Sequence, residues 1–178
     1  PNSCTKRIWM GPCPERNCRH RRNLDTISPL MNVADRVAEA CLNTYKLLPA
    51  GGGKPQRRSN GREEWTILAG CVIETRDGGM VPIALATGVK CTPYEKLSAH
   101  GDVLRDCHAE VLTRRALRAW LLERLILEAR SPEAIKDELG CVLAPVATSD
   151  SSERWSVRDD IHLHWYISTL PCALFNCH

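Results

Sequence analysis

The sequence predicts an α/β layer domain, on three observations. Apolar residues recur at helical spacing from Met31 to about Leu48, and again, on more than one face, from about Cys107 to Arg130. Between these segments lie two apolar, β-rich runs separated by Arg76-Asp77-Gly78-Gly79. Later, Ile161, Leu163, Trp165 and Ile167 alternate with His162, His164, Tyr166 and Ser168, the period of a strand with one buried face. Helix, two strands, helix and a further strand can bury their apolar faces only by layering helices on a sheet.

The chain has 178 residues, enough for one domain with a real core. Residues 1–30 carry Lys6, Arg7, Arg16, Arg19, Arg21 and Arg22 against Glu15 and Asp25, with no apolar period. They read as a disordered or non-native basic extension, with Met31 as a natural start. Cys13, Cys18 and His20 are metal-binding types, but Cys-x4-Cys-x-His completes no standard zinc set. Val33, Val37, Ala40 and Cys41 then mark a helix of about four turns. Pro49 to Gly61 is a linker broken by glycines, and its basic cluster continues to Arg62. Such basic segments suit phosphate backbones, and equally a plain solvated surface.

Trp65–Ile73 reads as a buried strand, Asp77-Gly78 as a hairpin turn and Val81–Thr87 as the returning strand. Lys90 to Asp106 is expected as a loop into the long helix. Ser131-Pro132-Glu133 resembles a second helix start, ended by Gly140. Residues 143–158 are expected as a polar loop.

Composition excludes some classes and leaves others open. The formal net charge of +3 says little about partners. No apolar run near the N-terminus suits a signal peptide, and no stretch approaches the roughly 20 apolar residues of a membrane helix. Ten cysteines would suit a disulfide framework in a short secreted chain. Here Cys41, Cys71 and Cys141 lie in apolar or helical contexts, where free thiols behave as small hydrophobes. The reading is an intracellular protein with reduced thiols, no membrane contact and no evident obligate protein partner.

His108-Ala109-Glu110, followed later by Pro171-Cys172, is the pattern that carries chemistry. Zinc deaminases combine His-x-Glu with a later Pro-Cys-x-x-Cys. Imidazole and thiolates hold the metal and leave one position open for water, whose pKa the metal lowers. The carboxylate, not itself a ligand, moves protons between the water, the ring nitrogen and the departing amine. Residues two apart point about 200° from each other within a helix. His108 and Glu110 can therefore share a metal only at a helix's first turn. There the positive end of the helix favours hydroxide and thiolate. The plain alternative is a capped helix start with a surface carboxylate. Cys107 reads as a packing residue. His162 and His164 share a strand face and could bind metal, or be half-buried polar residues.

The runs Asn60–Gly70, Ala86-Thr87-Gly88-Val89-Lys90-Cys91 and Gly101–Glu110 resemble the eukaryotic tRNA-specific adenosine deaminases. That group shares its catalytic domain with the adenosine deaminases acting on RNA. The resemblance spans residues 31–172. It implies a cytidine-deaminase-like three-layer α/β sandwich, here incomplete at the C-terminus. It implies hydrolysis of adenosine to inosine in tRNA, next to the anticodon. His108 and Cys172 would be zinc ligands and Glu110 the proton shuttle. Val89 and Lys90 would line the nucleotide pocket. Arg114 and Arg115 would face inward and bind inositol hexakisphosphate, with Asp106 a carboxylate in the relay toward it.

Residues 173–178 depart from the family's Pro-Cys-Gly-Asp-Ala-Ser. The family's third ligand, a more distant cysteine, has no counterpart here. The chain on its own is therefore expected to be a truncated, inactive form that holds zinc loosely. Two other readings stay open. One is a cytidine deaminase on nucleosides or single-stranded nucleic acid, although position 175, where its second cysteine would fall, is Phe175. The other is a non-catalytic, truncated RNA-binding product.

Overall fold

The computed structural model describes residues 8–10, 31–49, 54–55, 59–61, 64–147 and 153–170. Its centre is a four-stranded antiparallel sheet in the order β1 (Ile8–Met10), β3 (Met80–Thr87), β2 (Leu68–Glu74), β8 (His162–Ile167). The fold is mixed α/β. Helix α1 (Val33–Leu47) packs on one face, where Val37, Ala40 and Cys41 meet Leu68, Val72, Met80 and Leu85. Helix α2 (Ala109–Arg130) packs on the other, where Ala116 and Trp120 meet Cys71, Ile73, Val81 and Ile83. Alternate residues of β2 thus serve opposite cores, as strand periodicity requires.

Sequence signals explain the central elements. Asn32 caps α1, its side chain accepting from the Asp35 N–H at 2.9 Å. Lys54 closes the other end, donating to the Lys46 carbonyl at 2.9 Å and to that of Leu48. The β2–β3 turn is the expected hairpin, with Gly78 at φ +82° and its N–H on the Thr75 carbonyl at 2.9 Å. Pro82 lies inside β3, a central strand. The register shifts between Cys71 and Val72, where Cys71 faces Ala84 and Val72 faces Pro82. A bulge is where a strand can spare the N–H that proline lacks.

Several expectations are corrected. Helix α2 starts at Ala109, because Asp106–His108 is a short strand, β5, paired with β4 (Val89–Cys91). The expected loop from Lys90 to Asp106 is thus bounded by a two-stranded ribbon, with one 3-10 turn at Tyr94–Lys96. The expected helix after Ser131 is only a 3-10 turn at Pro132–Ala134. The expected polar loop contains a hairpin, β6 (Leu143–Val146) against β7 (Arg154–Val157). Strand β8 pairs with β2, but Leu163 and Trp165 are 41% and 42% exposed. They lie on the α2 face, and α2 covers β1, β2 and β3 rather than this strand. Ile8–Met10, within the basic extension, pairs with Ala84–Ala86 of β3. No described helix is long and apolar enough to cross a membrane.

The segment after α2 takes its shape from charge. Arg124 is buried, and its Nε donates to Glu128 Oε1 at 2.8 Å. Its Nη groups reach both Asp137 oxygens and the Gly140 carbonyl. Glu128 accepts the N–H groups of Val142 and Leu143 at 2.8 and 2.7 Å. Asp137 accepts those of Leu139 and Gly140, both at 3.1 Å. The guanidinium also lies 5.8 Å from the Trp120 ring centre. Each buried charge is satisfied, so the network fixes where β6 begins.

Two predictions follow from this packing. Arg124→Met would leave two carboxylates buried or half-buried without their cation. Breaking such a group costs about 3–5 kcal/mol, and urea unfolding should show a loss of that size. The second concerns pH. Burial pushes the thiols of Cys41 and Cys71 from 9.0 up to about 12, with the neighbouring Cys71 adding to the shift at Cys41. In the unfolded chain these thiols ionise near 9.0, while in the native chain they stay neutral. Their contribution is complete below pH 9 and is lost as the pH climbs toward 12. Burial shifts the Tyr45 and Tyr166 hydroxyls upward too, reinforcing the trend. The urea midpoint should therefore fall steadily above pH 9; a flat midpoint to pH 11 contradicts this account.

Candidate metal and deamination site

The site forms where β3 ends. Gly88 turns the chain from β3 into β4, and β4 pairs with β5 in a set register. Val89 faces His108, Lys90 faces Cys107 and Cys91 faces Asp106. Residues directly opposite one another, and residues two apart, share a face of such a ribbon. Val89, Cys91, Asp106 and His108 therefore stand on one side. Lys90 and Cys107 stand on the other.

Gly88 makes this register possible. A Cβ there would lie 1.9 Å from the Cys107 carbonyl oxygen and 3.1 Å from its carbon. Only glycine lets the two backbones come that close. Cys107 is buried against Ala86 and Leu112, and its Sγ points at the Leu104 carbonyl at 3.4 Å. Thr92 also donates to the Leu104 carbonyl, at 2.6 Å, and its own N–H reaches the Arg105 carbonyl at 2.7 Å. Both ends of the 92–105 loop are thus tied together.

On the His108 side three donor types converge. Asp106 Oδ1 lies 2.8 Å from His108 Nδ1 and accepts the His108 backbone N–H at 3.0 Å. Cys91 Sγ lies 3.9 Å from the same ring nitrogen. One ligand atom from each of the three residues lies within 4.8 Å of the others. Thiol, imidazole and carboxylate are the donors that zinc takes, so the set suits such an ion.

His108 is the N-cap of α2, with extended backbone at φ −63° and ψ 146°, and Glu110 lies half-buried in the first turn. The helix's unpaired N–H groups and positive end are beside the site. Thr113, on the next turn, donates to the Ala69 carbonyl at 3.0 Å and locks the helix to β2. Ala109 is buried with Ile67 and Ala69, against Val89 and Ile167. The end of β8 thus also reaches this corner.

The residues expected from sequence are not all brought together. His108, Asp106 and Val89 share the ribbon face, and Glu110 follows on α2. Lys90 is exposed on the opposite face. Arg114 and Arg115, expected to face inward, are both exposed. The buried positions of that turn are Leu112, Thr113 and Ala116, so the helix turns the two arginines outward. No support for inositol hexakisphosphate comes from them. Cys172 lies outside the described residues, as do Cys13, Cys18 and His20. His164 is held by Glu74, Nε2 to Oε2 at 2.9 Å, and Arg36 reaches the other Glu74 oxygen at 3.5 Å. His162 is exposed. Cys91, which the sequence reading did not single out, is brought to the same ribbon face by the β4–β5 register.

Comparison with known proteins gives a consistent picture. The profile of the adenosine-deaminase (editase) domain matches residues 84–174. The chain is 39% identical over 151 residues to tRNA-specific adenosine deaminase 1 of Schizosaccharomyces pombe, covering 83% of this chain and 36% of that protein. It is 32% identical over 155 residues to the protein of the same name from Saccharomyces cerevisiae, covering 85% and 36%. It is 33% identical over 91 residues to the double-stranded RNA-specific editase Adar of Drosophila melanogaster, covering 51% and 13%. The chain thus spans about a third of the length of the first two.

Gly88→Ala tests the geometry. The added methyl must displace the Cys107 backbone and with it His108. Overpacking of this kind costs about 1–3 kcal/mol, which a urea titration would detect. The His108 ring resonances should move at the same time. Unchanged stability and unchanged resonances would mean that the ribbon does not approach as described.

Proposed function

Because the chain belongs to the adenosine-deaminase (editase) domain family, we propose that it carries the proton-transfer and metal-binding core of a tRNA adenosine-to-inosine deaminase. The observation that carries this reading is the placement of His108 and Glu110 across a strand–helix junction, beside a thiol and a carboxylate. We extend the mixed α/β architecture to the cytidine-deaminase-like three-layer sandwich, with the sheet between α1 and α2. The relatives matched over more than four-fifths of the chain are named for tRNA, which favours tRNA over double-stranded RNA as the substrate. They are adenosine deaminases, which favours adenosine over cytidine.

Zinc, held by His108 with Cys172, would supply a water of lowered pKa as the nucleophile. Cys172 follows Ile167 by five residues in the sequence, and Ile167 packs near Ala109. Glu110 would be the group that moves protons, one at a time, between the water, the ring nitrogen and the departing amine. Asp106 orients the His108 ring through Nδ1, as carboxylates commonly do for metal-binding histidines. Val89, on the His108 face, borders the space for the base. Lys90, Arg105, Arg114 and Arg115 are exposed cations, and exposed cations suit the phosphates of an RNA substrate.

Glu110→Gln keeps size and polarity but cannot carry a proton. In an enzyme containing this sequence, inosine formation in a tRNA transcript should fall by about 10²–10⁴-fold. Zinc content, measured by mass spectrometry, should not change. A near-normal rate would remove Glu110 from this role. Loss of zinc would instead make it a ligand.

A further inference from the structure

We propose that the rings of Trp65 and Tyr94 are stacking platforms for unpaired bases of the RNA substrate, one tethered at each end of β5. This rests on the reading of the chain as part of a tRNA deaminase, and adds to it the residues that favour a single-stranded loop over a duplex.

Exposure is the first argument. Tyr94 is 80% and Trp65 71% exposed, the two most exposed large apolar side chains among the described residues. Neither ring enters a core of those residues, so packing does not account for them. Apolar residues scattered singly over a surface need no explanation, but these two fall at one corner.

Placement is the second. The Ile67 carbonyl accepts the Gly88 N–H at 3.1 Å, and Ile67 packs with Ala109, the residue after His108. Trp65 is two residues before Ile67, a reach of about 7 Å. At the other end of β5, the Arg105 carbonyl accepts the Thr92 N–H at 2.7 Å. Tyr94 is two residues beyond Thr92, an equal reach, and opens the 3-10 turn that the Leu97 N–H closes on its carbonyl at 3.0 Å. Strand β5 runs between these anchor points and ends at His108.

The third argument is chemical. A deaminase takes its target base out of the stack, which leaves the neighbouring bases without a partner. An aromatic side chain can replace that partner whatever the sequence, because every base has a π face. The exposed Lys90, Lys96 and Arg105, on the same ribbon and loop, suit the phosphates between such bases. Glu64 and Glu95 adjoin the two rings in sequence, so these positions offer an RNA a ring face rather than positive charge. In a duplex the flanking bases stay paired and stacked, and the rings gain little.

The test measures the Kd of a tRNA transcript, and of a fully paired RNA duplex, for an enzyme containing this sequence. Trp65→Ala and Tyr94→Ala should each weaken the tRNA complex by about 5–150-fold, the size of one base–aromatic stack, and leave the duplex complex nearly unchanged. Trp65→Phe and Tyr94→Phe should keep most of the affinity. The salt dependence of tRNA binding should stay the same in all four, whereas Lys90→Ala or Arg105→Ala should reduce its slope by about one. Because both rings are exposed, the urea midpoint should not move. Unchanged tRNA affinity in either alanine variant would overturn the proposal, as would equal losses for tRNA and duplex. A loss of affinity that accompanies a lower urea midpoint would also overturn it, because the rings would then pack against further protein. If the unsubstituted enzyme forms inosine in tRNA while the ring variants are silent, only the stacking proposal fails. If it neither binds tRNA nor forms inosine there, the reading of its function fails as well.

Discussion

The close approach of Gly88 to the Cys107 carbonyl is the constraint on which the site depends. Without a Cβ at Gly88, β3 can turn directly into β4 while β5 crosses beside it. That crossing sets the register, and the register decides which side chains share a face. Shifting β5 by one residue against β4 would put Cys107, in place of His108, on the face of Val89 and Cys91. A thiol that now fills a core would then stand where the imidazole does. The chemistry is set by backbone contact at a residue that has no side chain.

The helix following β5 has to be rigid for the site to hold its shape, and it is anchored differently along its length. Near the site, Thr113 bonds to the Ala69 carbonyl and Leu112 and Ala116 fill the core. At the far end apolar packing gives way to the Arg124–Glu128–Asp137 network. Leu122 and Ile126 are 60% and 52% exposed there. A long apolar helix is normally held by its hydrophobic stripe. In α2 the inward row continues from Trp120 through Arg124 to Glu128, and charge takes over where the sheet no longer lies beneath. These contacts fix both ends of the helix whose first turn presents Glu110.

Much of this was legible in the sequence, and the parts that were not have a common cause. Strands β2 and β3, their turn, and α1 announce themselves through local pattern, since both partners of each contact are near in sequence. The α2 face was read less well. Its hydrophobic residues are spread round the helix, and only the tertiary network shows why Arg124 is inside and Ile126 outside. The turn after Ser131 carries the signals of a helix start. Asp137, however, accepts backbone N–H groups from Leu139 and Gly140 and binds Arg124, so the loop closes on α2 and no second helix grows. Arg114 and Arg115 were assigned inward by resemblance, yet Leu112, Thr113 and Ala116 claim the buried face of that turn.

The boundary between β5 and α2 shows how a motif can be recognised before its geometry is understood. The sequence places the helix start near Cys107, which would make His108 and Glu110 neighbours within one helical turn, pointing about 200° apart. In the structure the helix begins at Ala109, so His108 still follows strand periodicity and pairs its side chain with Asp106, two residues back. Glu110 already follows helical periodicity. The two-residue spacing therefore spans a change of backbone conformation, and the helical 100° step does not apply between them. That change frees His108 to face Cys91 and Asp106 while Glu110 sits beside it at the helix's positive end. Cys91 escaped notice for the complementary reason. It meets His108 diagonally across the β4–β5 ribbon, over seventeen residues of sequence, which no local spacing rule reveals.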